Sequence, residues 1–144
     1  MLGCDIVIAK EESKFGTPEV NVGLWPMMIG AVIFRNVPRK KAMEMILLGE
    51  KLTAQQALEM GMVTRVVPSD QLDSEVETVL KTLSEKSPIG IKLGKEAFKQ
   101  VAEMSLDDSL DALCEGLGKV AATEDAKEGI TAFIEKRKPN FTGK

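Results

Sequence analysis

The sequence contains no histidine and no tyrosine. Without histidine, the chain cannot build by itself a Ser-His-Asp triad, a Cys-His pair or a metal site with imidazole ligands. Proton transfer within this chain therefore falls to aspartate, glutamate, lysine or cysteine side chains. A carboxylate does this work near neutral pH when desolvation raises its pKa.

Cysteine is also scarce, and neither sign of charge is in large excess. The two cysteines, Cys4 and Cys114, lie far apart, which fits a reducing compartment better than a disulfide framework, and we expect a cytoplasmic protein. A net charge of −3 and the lack of a basic stretch interleaved with aromatics argue against nucleic acid as a partner. The longest apolar run, residues 20–34, is broken by Asn21, glycines and a proline, so the sequence predicts no membrane partner.

Two stretches predict strands in a chain whose 144 residues and 44% hydrophobic content fit one domain with a moderate core. Residues 4–9 are apolar and β-branched and meet a charged turn at residues 10–12. We therefore expect a largely buried strand in which Cys4 is an inert small hydrophobe. Residues 62–67 predict a weaker strand. A buried strand needs neighbours on both sides, and this sequence offers few of them.

Helix signals occupy most of the sequence after Pro26. Pro38 and Gly49 bracket a helix over residues 39–48 that is apolar on nearly every side, which predicts its burial. Thr53 with Gln56 predicts a capping box. Further helices are predicted from Pro68-Ser69, from Pro88 to about residue 104, from Ser105, and from Asp125, boxed with Glu128, to Lys138 before Pro139.

The helix predicted from Ser105 carries a seam of apolar residues at alternating four- and three-residue spacing. This spacing places them on one face, where helix packing within or between subunits is the simplest interpretation. The seam residues are Leu106, Leu110, Leu113, Leu117 and Val120.

One acid, Glu19, stands between Pro18 and Val20 in the segment KFGTPEVNVGLWP, residues 14–26, which is otherwise mostly small, apolar or turn-forming. A carboxylate in such a loop can be desolvated enough to act as a general acid or base. Capping of the following turn, or pairing with a nearby lysine, is the commoner fate of a single glutamate. One such carboxylate is only a probabilistic marker of a functional site.

Taken in order, these motifs resemble the crotonase superfamily, the enoyl-CoA hydratases and isomerases. The resemblance implies an α/β, crotonase-like spiral fold, of which this chain holds the C-terminal part, mostly helical with a short strand region. Residues 1–68 then form the end of the spiral core with the Pro-Glu catalytic loop, and residues 69–144 a helical trimerisation region. The similar segments are residues 5–9, 15–24, 35–49, 52–57, 61–63, 66–68, 128–133 and 136–138.

The resemblance also implies a function. In hydratases of this family the glutamate of the Pro-Glu pair exchanges a proton with water or with an acyl carbon of a CoA thioester, and Glu19 matches it. The implied reaction is the addition of water to a 2-enoyl-CoA thioester. The alternatives are an enoyl-CoA isomerase, an acyl-CoA thioester hydrolase, or an inert assembly module derived from the same fold.

Partners and cofactors follow from the same resemblance. Coenzyme A enters as part of the acyl-CoA substrate, so we expect no separate cofactor and no metal. The family implies a homo-oligomer, a trimer or a dimer of trimers.

Family members carry the oxyanion-hole amides and a second glutamate before the region that resembles this chain. Since losing one oxyanion donor costs about 10²–10³ in rate, we expect the chain alone to be nearly inactive, and its unpaired strand edges to favour association.

Five further residues are candidates for substrate contacts. Trp25, Met27 and Met28 stand where many hydratases have a glycine-rich stretch, and they either line the acyl pocket or belong to the core. By resemblance, Phe133 and Lys136 help to hold the adenine end of CoA bound to an adjacent subunit. The alternative for Lys136 and its basic neighbours is to complement the dipole at the end of the last helix.

Overall fold

The structure is a computed structural model that describes residues 1–144. Backbone contacts divide the chain into two units, Met1–Thr78 and Val79–Lys144. The first unit contains β1 (Ile8–Lys10), β2 (Lys14–Phe15), a 3-10 helix (Pro18–Val22), α1 (Met27–Asn36), α2 (Arg39–Leu48), β3 (Leu52–Thr53), α3 (Ala54–Glu59) and β4 (Arg65–Val67). A second 3-10 helix (Ser69–Gln71) leads into α4 (Leu72–Ser84), and then follow α5 (Pro88–Val101), α6 (Leu106–Ala121) and α7 (Glu124–Ile134). The functional division between residues 1–68 and 69–144 stays a prediction.

The strands form two pairs in the first unit. β1 and β4 are parallel, with Ile8 opposite Arg65, while β2 and β3 are antiparallel, with Phe15 opposite Leu52. The parallel pair needs a long crossover, which α1 to α3 provide. Two short sheets therefore hold together segments that are distant in the sequence.

Both predicted strands are too long at their N-terminal ends. The strand expected at residue 4 begins at Ile8, and Cys4 is exposed rather than buried, because its N–H bonds back to the Met1 carbonyl in a turn instead of joining a ladder. Met62 and Val63 are buried, but their N–H groups donate to the Ala57 carbonyl at the end of α3, so β4 starts only at Arg65.

The core of the first unit lies between the helices and the β1–β4 pair. The predicted burial of residues 39–48 on nearly every side is wrong, since Leu47 and Leu48 are exposed. Helix α2 has only one face against the core, so its apolar residues divide between the core and the surface. The buried cluster comprises Ala9, Ile33, Val37, Ala42, Met45, Ile46, Ala57, Met60, Met62 and Val63.

Local capping signals are confirmed in several helices. The N–H of Gln56 donates to Thr53 Oγ1 at 3.2 Å, and Gln56 Oε1 accepts from the Thr53 N–H at 2.8 Å, which completes the capping box of α3. Ser105 caps α6 by accepting from the Asp108 N–H at 3.2 Å. Helix α5 ends at Val101, a few residues earlier than predicted.

The last helix differs from its prediction at both ends. Its N-cap is Thr123, whose Oγ1 accepts from the Ala126 N–H at 3.0 Å, so the predicted box of Asp125 with Glu128 is wrong. The helix ends at Ile134 rather than at Lys138, because the chain reverses at Lys136, which has the left-handed φ of 56°. Pro139 therefore lies beyond the helix instead of ending it.

The apolar seam of α6 is largely exposed. Leu106, Leu110 and Leu117 are exposed, while Leu113 and Val120 are half-buried. Helix α5 packs against α6 near Gly116, where a Cβ would lie 3.4 Å from Ala97 Cβ. Packing within this chain therefore does not cover most of the seam.

A glycine at the end of α2 fixes the position of the 3-10 helix that carries Glu19. Gly49 has a left-handed φ of 60°, and a Cβ there would lie 2.7 Å from both Val20 Cγ2 and Asn21 Oδ1. Asn21 Nδ2 also donates to the Gly49 carbonyl at 3.0 Å. Only a residue without a side chain permits both the backbone conformation and this close approach.

We predict that Gly49→Ala destabilises the protein. The left-handed conformation costs a residue with a Cβ about 1–2 kcal/mol, and the overlap with Val20 and Asn21 adds to this. Urea unfolding followed by circular dichroism measures the change. Gly30→Ala within α1 is the matched control, because a Cβ there meets no atom within 4 Å, and it should be neutral or gain up to about 1 kcal/mol. Equal unfolding midpoints for wild type and Gly49→Ala would contradict the role of this contact.

Candidate active site

Glu19 is held on a short, well-anchored helix. Pro18 occupies its first position, where the missing N–H costs nothing, and the left-handed Gly23 ends it. The Leu24 N–H donates to the Glu19 carbonyl at 3.0 Å. Together with the Asn21–Gly49 bond, these features fix the backbone of Glu19 from both sides.

The side chain of Glu19 has no partner in the chain. Its Oε2 is buried without a hydrogen bond, and Glu19 takes part in no ion pair. Neither capping of the turn nor pairing with a lysine, the two structural alternatives for this residue, is therefore present. A buried acceptor without a partner costs about 1–3 kcal/mol, so it calls for a functional or structural explanation.

Thr17 is a second unusual residue beside Glu19. Its side chain is buried, its Oγ1 has no hydrogen bond, and it does not cap the 3-10 helix. Thr17 Oγ1 and Glu19 Oε2 are the only buried side-chain polar atoms of the chain without a partner. Sequence reasoning missed Thr17, because a threonine before Pro18 gives no local sign that its hydroxyl will be buried.

Glu19 lies in a cleft of about 520 Å³ at the start of α1. This volume falls within the range of about 300–1,000 Å³ typical of small-molecule sites. Met27 and Met28 are 76% and 91% exposed, so they do not belong to the core. The structure thus brings three of the predicted contact residues together with Glu19. The lining consists of Glu19, Trp25, Pro26, Met27, Met28, Ile29 and Val32.

Phe133 and Lys136 belong to the second unit. Phe133, near the end of α7, is 85% exposed and borders a cleft of about 360 Å³ with Ile130 and Phe141. Lys136 is exposed and, unlike the two basic residues that follow it, makes no ion pair. Contact of these two side chains with CoA stays a prediction.

Arg137 and Lys138 are paired with acids. Arg137 donates to both carboxylate oxygens of Glu128, at 2.6 and 2.9 Å. The Asn140 N–H adds a hydrogen bond of 2.8 Å to Glu128 Oε1. The hydrogen bond from Arg137, followed by that from Asn140, lowers the pKa of Glu128 to about 2. Lys138 Nζ lies 3.5 Å from Glu85. Of the three basic residues Lys136, Arg137 and Lys138, the last two thus form structural ion pairs, and Lys136 is the exception.

Asp125 is a buried carboxylate, and its burial could not be predicted from the sequence. It is 1% exposed, and its oxygens accept from Ser87 Oγ at 2.7 Å and from the N–H groups of Thr142 and Gly143 at 2.7 and 3.1 Å. Burial opposes ionisation, but these hydrogen bonds outweigh it and lower the pKa of Asp125. Every oxygen has a partner, so Asp125 fastens the chain end rather than performing chemistry.

The structure contains no group of three or more histidine, cysteine, aspartate or glutamate side chains placed to hold a metal ion. None of its helices has the length and apolar character required to span a membrane.

The sequence matches a known family along its whole length. The family model described as enoyl-CoA hydratase/isomerase matches residues 1–144. The mitochondrial enoyl-CoA hydratase domain-containing protein 3 of Xenopus laevis is 40% identical over 139 residues, which are 96% of this chain and 47% of that protein. The 2,3-dehydroadipyl-CoA hydratase of Escherichia coli (strain K12) is 37% identical over 142 residues, 98% of this chain and 56% of that protein. The chain thus spans about half the length of the curated relatives it matches.

Solved structures give the same result for the fold. The crystal structure of human enoyl coenzyme A hydratase domain-containing protein 3 superposes with a TM-score of 0.93 and 37% identity, covering 97% of this chain and 55% of that one. An enoyl-CoA hydratase from Mycobacterium smegmatis gives a TM-score of 0.93 at 31% identity, with the same coverage. The expected crotonase-like fold, partial and mostly helical, is confirmed.

We predict that the Glu128–Arg137 pair makes stability depend on acid pH. Because the pKa of Glu128 is lowered from 4.5 to about 2, the carboxylate stabilises the fold above pH 4.5, and this contribution is lost as the pH falls toward 2. Urea unfolding at pH 3 to 7 should show wild type more stable than Glu128→Gln at pH 6, with the difference shrinking below pH 4.5.

Glu115→Gln on α6 is the control for this measurement, since Glu115 is exposed and outside any ion pair. This control distinguishes the loss of the Glu128–Arg137 interaction from the loss of one acidic charge in general. A pH-independent difference between wild type and Glu128→Gln would contradict the prediction.

Proposed function

The chain belongs to the enoyl-CoA hydratase/isomerase family, and from this premise we propose that it forms part of an enzyme that adds water to the double bond of a 2-enoyl-CoA thioester. The observation that carries the proposal is the buried, unpartnered Oε2 of Glu19 in an apolar cleft. Such an oxygen can accept a hydrogen bond from the attacking water. The names of relatives that are hydratases support the same reaction class.

In the proposed reaction Glu19 transfers protons. As general base, its carboxylate takes a proton from water while the oxygen of that water forms a bond to C3 of the enoyl group. The electron pair of the double bond moves onto the thioester as an enolate, and C2 then gains a proton from a second acid. Hydrogen-bond donors for the enolate oxygen are usually the largest catalytic contribution. The proposal assigns these donors, and a second acid, to residues outside this chain.

The cleft around Glu19 suits this role. The burial of Oε2 limits the water around this carboxylate oxygen, which strengthens the electrostatic interactions that form during the reaction. We assign Trp25, Met27 and Met28 to contact with the acyl group, since they line the same cleft. The carbon that reacts would then lie beside the only charged side chain of the lining.

The partners of the enzyme are part of the same proposal. Phe133 and Lys136 are exposed and near each other in sequence, as contact with the adenine and phosphates of CoA requires. A homo-oligomer would bring these residues to a neighbouring subunit's substrate, and the exposed seam of α6 offers an apolar surface for assembly. The oligomeric state and the cytoplasmic location stay predictions.

We predict that Glu19→Gln in the full-length protein lowers kcat for 2-enoyl-CoA hydration by about 10²–10⁴-fold, the usual contribution of a general acid or base. The KM should change little, because the isosteric amide keeps the shape of the cleft. Loss of the conjugated enoyl absorbance gives the rate, and mass spectrometry of the product identifies the 3-hydroxyacyl-CoA.

Glu11→Gln is the matched control, since Glu11 is exposed and outside the cleft, and its kcat should equal that of wild type. An unchanged kcat for Glu19→Gln would remove Glu19 from the mechanism. A product with a shifted double bond and no added water would replace hydration by the isomerase alternative.

A further inference from the structure

We propose that Glu128 is a positioning residue for the nucleotide end of coenzyme A. It acts through Arg137 and holds in place the turn at the end of α7 that carries Phe133 and Lys136. This role rests on the proposed function, in which these two side chains contact CoA. It goes further, because it assigns a part in substrate affinity to an acid that touches neither the substrate nor the reacting atoms.

The turn at the end of α7 holds a lysine in a backbone conformation that favours glycine. Lys136 is the only residue other than glycine with a positive φ, 56°. The N–H of Arg137 donates to the Ala132 carbonyl at 3.0 Å, and the N–H of Lys136 donates to the Phe133 carbonyl at 3.3 Å. This is the Schellman arrangement, in which glycine usually occupies the position of Lys136. A side chain kept there despite the strain supports a function for this lysine.

Glu128 fastens the chain directly after this lysine. Its two carboxylate oxygens accept from Arg137 Nη1 and Nη2 at 2.6 and 2.9 Å, and Oε1 also accepts from the Asn140 N–H at 2.8 Å. Exposed ion pairs usually contribute little, but a forked arginine–carboxylate pair with a further backbone donor fixes the geometry as well as the charge. Arg137 Nε also donates to Glu135 Oε2 at 2.6 Å. One guanidinium thus links Glu135, the residue before Lys136, to Glu128 on α7.

The rest of the tail lies on the same face of α7. The Phe141 ring packs over Gly129, where a Cβ would lie 3.4 Å from ring atom Cε1. The N–H of Thr142 donates to Asp125 Oδ1 at 2.7 Å. Asp125, Glu128 and Gly129 share one helix face, because they are three and four residues apart. The tail therefore has a fixed path along α7, and its contact with Glu128 is the first one after the lysine.

Lys136 is the cation of this turn that has no acidic partner. Its two basic neighbours are paired with acids, whereas Lys136 is exposed and makes no ion pair. Phe133, whose carbonyl accepts from the Lys136 N–H, supplies an exposed ring from the same turn. A cation and an aromatic ring together suit the phosphates and the base of a nucleotide. A turn that is already fixed need not be ordered on binding, so the affinity is higher.

The test uses two substrates in the full-length protein, a 2-enoyl-CoA and the matching 2-enoyl-pantetheine thioester, which lacks the nucleotide. Glu128→Gln should raise KM for the CoA thioester about tenfold with little change in kcat. Both constants for the pantetheine thioester should keep their wild-type values. Removal of an acid by itself favours an anionic ligand, so the expected rise has the opposite sign to a direct effect of charge. Equal changes in KM for the two substrates, or no change, would overturn the proposal.

A second variant separates affinity from stability. Lys136→Gly removes the backbone strain together with the cation, so KM for the CoA thioester should rise while the midpoint of urea unfolding does not fall. In the Lys136→Gly background Glu128→Gln should raise KM no further, because its effect passes through the lysine. Additive effects of the two changes would contradict this. Glu124→Gln is the matched control on α7, since Glu124 is exposed and outside any ion pair, and it should keep the wild-type KM.

Binding of CoA itself makes the result independent of turnover. Isothermal titration calorimetry of the full-length protein with CoA should give a Kd about tenfold higher for Glu128→Gln than for wild type. If this loss is found without any hydration of the enoyl thioester, the proposed reaction fails and the positioning role stands. If hydration is found and Glu128→Gln binds CoA as wild type does, the reaction stands and the positioning role is overturned.

Discussion

The contact between the end of α2 and the 3-10 helix is the constraint on which the candidate site depends. Gly49 lacks the side chain that would collide with Val20 and Asn21, and its carbonyl accepts a hydrogen bond from Asn21. Helix α2 is itself fixed by Met45 and Ile46 in the core. The backbone of Glu19 is therefore positioned by buried packing, although the residue lines an open cleft.

Signals that act over a few residues could be predicted from the sequence. The capping box of Thr53 and Gln56 and the left-handed end of α2 depend on neighbours within one turn, and both are present. Glu19 stood out because it is the one acid of an apolar segment. The ends of the strands could not be predicted in this way. Val7, for example, bonds to the Thr64 hydroxyl 57 positions away, and such a partner depends on the whole fold.

The last helix shows the same limit in an acidic residue. Asp125 is a residue type that often caps helices, and it stands near the start of the last helix. The local sequence therefore fits a cap at Asp125 as well as a cap at Thr123. The choice is made by Ser87, 38 positions earlier, and by the N–H groups of Thr142 and Gly143, 17 and 18 positions later. These groups donate hydrogen bonds to the carboxylate oxygens of Asp125, and Thr123 caps the helix instead. Long-range hydrogen bonds therefore decide the role of this acid.

The two buried side-chain polar atoms that have no hydrogen-bond partner lie in one short segment. Thr17 Oγ1 and Glu19 Oε2 are buried without partners, whereas both carboxylate oxygens of the buried Asp125 have hydrogen bonds. A fold with a typical stability of about 5–15 kcal/mol tolerates a cost of about 1–3 kcal/mol for such an atom. Violations of this kind are expected where a protein binds a ligand, because the ligand supplies the missing partner. A ligand atom that bonds to Glu19 Oε2 would thus recover the desolvation energy lost on folding.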